Sequence, residues 1–420
     1  MATMALEGLR ILDATQVWAG PTCTKILGDM GAEVIKIESA RRMDIARGDI
    51  DPRLGAGIFP DGEPGEEPWN RSGLYNDRNR SKLSACLDLT HPKGVATFKL
   101  LAAKSDVVIE SFRSGVMERF GLTYADLKQV RNDIIMVSLS SQGGTGPERA
   151  YGSFGATLEQ TAGIASITGY LGGDPTTSGT FLPDPMVSFL SVGVVLAAIE
   201  QRRRTGEGVY IDLSQREVTT SMVGEMVMDY TMNERTGIPT GNRDAVHAPQ
   251  GVYPCAGDDS WIAITVRSDA EWSSFADLIG ITDDAQREQF TGVIERHNHH
   301  GELDQLIADW TRPRDAFDVM KILQRAGIAA GVSLRGDQLL QDPHLAERGF
   351  WENVEHPQAG THPHLSRPFK LSKQPGSTRM HAPLLGQHTE QVLREIAGLS
   401  AAEISELKEL GVTSNDPTAV

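Results

Sequence analysis

Two short apolar runs, separated by one helix-length segment, constrain this chain more than any other feature. Residues 9–14 (Leu9-Arg10-Ile11-Leu12-Asp13-Ala14) read as a strand, 22–30 as a helix stopped by Gly31, and 34–38 as a second strand. Strand, helix and strand in about 30 residues make a βαβ unit, which requires a right-handed crossover and a parallel sheet. The pattern continues with a helix near 94–103, a strand at 106–110, another helix and a strand at 134–139. The fold class is therefore α/β, with a doubly wound, Rossmann-like large domain.

A chain of 420 residues exceeds what one core usually supports. The composition turns polar and rich in Gly and Pro around 236–252, and a strand (262–266), a helix (269–279) and a helical stretch (302–326) follow. The predicted division is a large domain begun by residues 1–225, a smaller α/β domain over 226–330, and a return segment, 331–420, completing the first. Residues 44–79 read as one long loop covering a site or a partner.

With 40 Lys and Arg against 56 Asp and Glu, the net charge is −16. A chain that grips nucleic acid needs the opposite balance, and anionic lipid would repel this one. The apolar run 185–199 is too short to span a bilayer. Cys23, Cys86 and Cys255 fit no metal or redox spacing and suit a reducing compartment. The expectation is a cytoplasmic protein with no membrane or nucleic-acid partner.

The clearest helix covers 185–204, with Gly206 as its stop and Asp184 as N-cap ahead of Pro185. A carboxylate there faces free backbone N–H groups and stays ionised at neutral pH. On the residues alone, Asp184 reads more readily as a cap than as a catalytic group. Residues 222–234 read as one Met-rich helix. His297, His299 and His300 read as a solvated loop without metal partners. Gly143-Gly144-Thr145-Gly146 lacks the Lys and Ser/Thr of a P-loop, and no G-x-G-x-x-G follows the first strand.

Several segments in order nevertheless resemble the class III CoA-transferases, the family of formyl-CoA and carnitine CoA-transferases. They include Leu6-Glu7-Gly8-Leu9 through Asp13 with Ala19-Gly20-Pro21, then Arg78-Asn79-Arg80-Ser81 and Glu110-Ser111-Phe112-Arg113-Ser114-Gly115. Arg203-Arg204-Thr205-Gly206 and Pro383-Leu384-Leu385-Gly386 complete the set. The resemblance implies that Asp184 is the catalytic aspartate, carrying CoA between carboxylic acids through an aspartyl anhydride and an aspartyl-CoA thioester. It implies that Gln16, Val17, Trp18 and Ala19 border the thioester, and that Arg80, Ser111, Phe112 and Arg119 hold the rest of CoA.

Ser39 stands where the family has an arginine, and Arg41 or Arg42 could replace it. Trp18 departs from the small polar residue of formyl-CoA transferase; it reads either as a core aromatic or as a bulky wall of the acyl pocket. With Phe181-Leu182 it leans the substrate pair toward succinyl-CoA and a bulky or aromatic acid. The loop 241–251 is poorer in glycine than the family's gate. The resemblance further implies an interlocked homodimer, with CoA as substrate and neither metal nor nicotinamide. Rival readings are an α-methylacyl-CoA racemase, whose histidine would fall near Phe154, and a subunit of a hetero-oligomeric transferase.

Overall fold

The computed structural model describes residues 4–48 and 58–417. The chain divides into two compact units. One comprises residues up to Ile164, Thr177–Glu234 and the chain from His344 onward; the other is Ala165–Thr176 with Arg235–Pro343.

The first unit is built on six parallel strands: β1 (Arg10–Ala14), β2 (Glu33–Glu38), β3 (Leu83–Cys86), β4 (Val107–Glu110), β5 (Ile135–Ser138) and β6 (Tyr210–Asp212). Their order is β3-β2-β1-β4-β5-β6, with Leu12 in register between Ile35 and Val108. Alternation along the strands sends Leu12, Ile35 and Val108 to one face and Ile11, Val34 and Val107 to the other, all buried. The first face is covered by the helix Pro92–Ala103 and by tail residues such as Val392 and Leu407. The second is covered by α1 (Ala19–Asp29) and a long helix at Pro183–Thr205. A sheet covered on both sides is what near-continuous apolar strands demand.

Several boundaries differ from the sequence reading. Helix α1 begins at Ala19, before Pro21, because proline is tolerated in a first turn where its missing N–H has no helical partner. The Met-rich helix read at 222–234 spans Gly224–Asn233, and a separate helix, Gln215–Ser221, precedes it. Within 44–79, residues 49–57 lie outside the described residues, but Pro68–Arg71 and Gly73–Arg78 are short helices rather than loop. Arg47 organises them. Fully buried, it pairs with Glu38 at 2.7 Å, donates to Asn70 at 3.0 Å and lies 3.6 Å from the Tyr75 ring centroid.

Pro183–Thr205 is, by length and composition, long and apolar enough to cross a membrane, contrary to the reading from its 15-residue apolar run. Core helices pass the same test, and here Val187, Val192 and Val195 pack into the cluster beside α1.

The second unit holds a three-stranded antiparallel sheet: β7 (Gln250–Pro254), β8 (Trp261–Thr265) and β9 (Ala329–Val332). Residues 302–326 form two helices, His300–Thr311 and Ala316–Arg325, packed on it through Leu303 and Val319. The three histidines are not a solvated loop. His297 sits in the helix Val293–Asn298, and His300 is buried, its Nε2 accepting the Gln250 N–H at 3.3 Å. In the first unit the tail returns through a hairpin, β10 (Trp351–His356) and β11 (Gly360–Leu365). All three cysteines are buried and unpaired, and burial pushes each thiol up from its ordinary range.

Candidate active site

The strand order reverses between β1 and β4, and a crevice opens beyond their carboxyl ends, where α/β sheets take ligands. The chain leaving β1 crosses it as a clamped turn. The Gln16 N–H donates to Ser111 Oγ at 2.9 Å. Val17 has φ +70°, a region a β-branched residue avoids at a cost of about 1–3 kcal/mol.

Neighbours fix it there. The Val17 N–H donates to Asp44 Oδ1 at 3.0 Å, and the Val17 carbonyl accepts from Arg78 Nη1 at 3.3 Å. Asp44 is paired with Lys36 at 3.4 Å, and Lys36 donates to the Thr15 carbonyl at 2.8 Å. Below them Asp13 accepts the Thr15 N–H at 2.9 Å and Lys82 Nζ at 3.0 Å. Burial alone would raise the Asp13 carboxyl, but Lys82 and Lys36 outweigh it and hold it at about 2.

The turn delivers the Ala19 N–H, at the head of α1, to the carboxylate of Asp184. Asp184 is not the N-cap of its helix. Leu182 holds that position, and Pro183 and Asp184 are the first two helical residues. Burial pushes the Asp184 carboxyl up to about 6, against Arg78, the Ala19 N–H and its own N–H, which pull it down. It is ionised at neutral pH with little to spare.

The approach to Asp184 is fixed as firmly. Phe181 has φ +51°. Buried Glu159 accepts from the Ser178 N–H (2.7 Å), Ser178 Oγ (2.6 Å) and the Leu182 N–H (3.0 Å). Ser188 Oγ lies 2.7 Å from the Asp184 carbonyl and 2.8 Å from that of Ala19, stitching the two helices together. Gly155 opens the helix α2 (Gly155–Thr161) against this corner, and Pro183–Thr205 is α3. A Cβ on Gly155 would stand 2.7 Å from Asp184 Oδ2.

Asp184 lines a cavity of about 480 Å³ with Gln16, Val17, Ala19, Ser111 and Phe112. A second cavity of about 590 Å³ shares Gln16, Phe112, Arg113 and Phe154 with it and carries Ser39, Arg42 and Arg119. Seven of the nine residues expected at the site are thus gathered along one pair of adjoining cavities. The other two are elsewhere. Arg80 is buried in an ion pair with Asp29 at 2.8 Å, near the far end of α1, and lines neither cavity. Trp18 is neither a fully buried aromatic nor a wall of the Asp184 cavity; it is half-buried, with the Arg78 guanidinium 4.0 Å from its ring centroid.

Of the two candidates beside Ser39, Arg42 faces the cavity, while Arg41 pairs with Asp88 at 3.6 Å. Sequence reasoning did not single out Asp44, Arg78, Glu159 or Gly155. Only the packed chain brings Asp44 and Arg78 to Val17. Among the described residues, no three His, Cys, Asp or Glu side chains are placed to hold a metal ion.

A carboxylate met by the backbone N–H groups of Ala19 and Asp184, at one end of a long cleft with arginines toward the other, suits attack on a carbonyl carried by an elongated anionic ligand. The succinyl-CoA–D-citramalate CoA-transferase of Chloroflexus aurantiacus is 30% identical over 96% of this chain and 96% of its own length. The succinate–glutarate CoA-transferase of Agrobacterium fabrum is 29% identical over 93% and 95%. The crystal structure of a CAIB/BAIF family protein from Brucella suis superposes with a TM-score of 0.84 at 25% identity, over 94% of this chain and 100% of that one. The family model described as CoA-transferase family III matches residues 6–389, and this chain accordingly belongs to that family of enzymes that transfer CoA.

Proposed function

We propose that Asp184 is the nucleophile of a CoA transfer from an acyl-CoA to a free carboxylic acid. Its carboxylate attacks the thioester carbonyl, giving a mixed anhydride and CoA thiolate. The thiolate attacks the aspartyl carbonyl, expelling the first acid and leaving an aspartyl-CoA thioester. The incoming carboxylate attacks that thioester, re-forming an anhydride and releasing thiolate. Attack of the thiolate on the substrate's acyl carbonyl then gives the new acyl-CoA and frees Asp184. Each step exchanges one activated acyl group for another, so no external energy source enters. The Ala19 N–H is the donor for developing oxyanion charge.

The observation that carries this reading is the placement of the half-buried Asp184 carboxylate against the Ala19 N–H in the cleft, near its point of titration at neutral pH. Arg119 and Arg42, in the adjoining cavity, are proposed to take the phosphates of CoA. In the same reading residues 1–225 and 331–420 carry the site, and the protein is a cytoplasmic homodimer. Exposed Phe189 and Leu190 on α3, and Met228, Tyr230 and Met232 on Gly224–Asn233, support self-association.

Succinyl-CoA is the proposed donor, in keeping with the name of the Chloroflexus relative, a succinyl-CoA–D-citramalate CoA-transferase. The bulky or aromatic acceptor rested on Trp18 as an apolar wall, and Arg78 occupies that ring's face. The test is a screen of donors and acceptors with hydroxylamine trapping of the acylated protein. Wild-type protein is expected to give an adduct at Asp184; Asp184→Ala is expected to fold, bind CoA and give none. Turnover by the alanine variant at near the wild-type rate refutes the assignment.

A further inference from the structure

Arg78 is a buried cation with most of its hydrogen-bonding capacity unused. The residue is 8% exposed, yet among the described residues its guanidinium donates only to the Val17 carbonyl and forms no ion pair within 4.0 Å. Arg47, Arg80, Arg296 and Arg367, the other buried arginines among the described residues, each hold a carboxylate at 2.6–2.8 Å. A guanidinium has five N–H donors in a planar fork, and Trp18 lies 4.0 Å away across its face. With one N–H on the Val17 carbonyl and no ion pair among the described residues, most of the fork is left to receive a carboxylate through two parallel bonds. Burial pushes the guanidinium down from its ordinary range, against the pull of Asp77, Asp184 and Asp44. Val17 ties it to the turn that borders the Asp184 cavity.

Resting on the reading of Asp184 as nucleophile, we propose that Arg78, laid on Trp18, receives the non-reacting carboxylate of a dicarboxylic substrate. The enzyme then selects dicarboxylic acids over monocarboxylic acids of the same length. A substrate with one carboxylate places its only anion at Asp184 and leaves the Arg78 fork without a bonded carboxylate, while a second carboxylate completes the fork. The position is neither an N-cap nor a helix dipole effect, since the donor is a side chain held by an aromatic ring and one carbonyl.

The experiment compares glutarate with pentanoate, which differ only in the second carboxylate. Binding is measured by calorimetry with CoA present, in Asp184→Asn protein, which has no nucleophile. Glutarate is expected to bind more tightly than pentanoate, and adding Arg78→Gln is expected to weaken glutarate about 100-fold while leaving pentanoate within about threefold. Arg78→Lys, which keeps the charge without the fork, should fall between. Trp18→Leu keeps the cation and removes its platform, and should weaken glutarate about fivefold, which keeps the question decidable if Arg78→Gln does not fold. Equal binding of the two acids, or equal losses for both on substitution, overturns the proposal. Binding is read without turnover, so failure of the Asp184 chemistry and failure of the Arg78 assignment are separate results.

Discussion

Replacing Gly155 with alanine should damage the site through one methyl group. Gly155 is not in the left-handed region, so alanine is not strained by the backbone there. The obstacle is space. The new Cβ would lie 2.5 Å from Phe181 Cβ and 2.7 Å from Asp184 Oδ2. Carbon atoms pack at about 3.5–4.0 Å, so the corner must open by about 1 Å or more. Phe181 cannot retreat freely, because Glu159 holds the Leu182 N–H at 3.0 Å and the Ser178 N–H at 2.7 Å on either side of it. The displacement falls on Asp184. Overpacking of this kind costs about 1–3 kcal/mol of stability, and moving a reacting group by about 1 Å costs about 100-fold in rate. Urea unfolding and kcat measured on one preparation separate the two effects. Adding Phe181→Gly removes the opposing Cβ and frees the φ of +51°, so the double variant should regain stability while the oxygen contact still limits the rate. A kcat for Gly155→Ala within threefold of wild type refutes the argument.

Activity should follow the ionised form of Asp184. With the carboxyl at about 6, kcat/KM should fall about tenfold from pH 7 to pH 5; a flat profile over that range contradicts this. The raised carboxyl also means the folded state binds its proton more tightly than the unfolded chain, a penalty absent below pH 4 and complete above pH 6. Asp184→Asn should therefore raise the Tm at pH 8, with a gain that vanishes toward pH 4. Asp44→Ala strands buried Lys36 and the Val17 N–H together, and should cost about 3–5 kcal/mol by urea unfolding; a loss under 1 kcal/mol shows that the turn holds without it.

The order of elements around β1, α1 and β2 could be read because the hydrophobic period changes there from two to 3.6, and that change is a local property. The start of α3 was misplaced by local logic too. The sequence points to Pro185 as the first helical residue, whereas Pro183 and Pro185 both fit one first turn, with Asp184 between them. The Met-rich stretch at 222–234 was legible as a helix, Gly224–Asn233, whereas the short polar helix Gln215–Ser221 before it was not. In the candidate site, the residues borne on the β1 and β4 turns line one cavity with Asp184. Arg80 does not, because Asp29, 51 positions earlier, claims its guanidinium. Contacts of that kind leave no periodic trace. Asp44 and Arg78 belong to a Gly- and Pro-rich stretch that looks structureless until buried Arg47 anchors it.

An enzyme that keeps acyl groups in activated form endangers its own side chains, since any ionised sulfur within reach would accept the cargo and hold it as a dead-end thioester. Here the three sulfurs are enclosed and kept as thiols, one of them, Cys23, inside the very helix whose first N–H meets Asp184. Under the mechanism proposed for Asp184, coenzyme A is then the thiolate left to attack the activated aspartate, and the enclosed cysteines are kept from taking its acyl group.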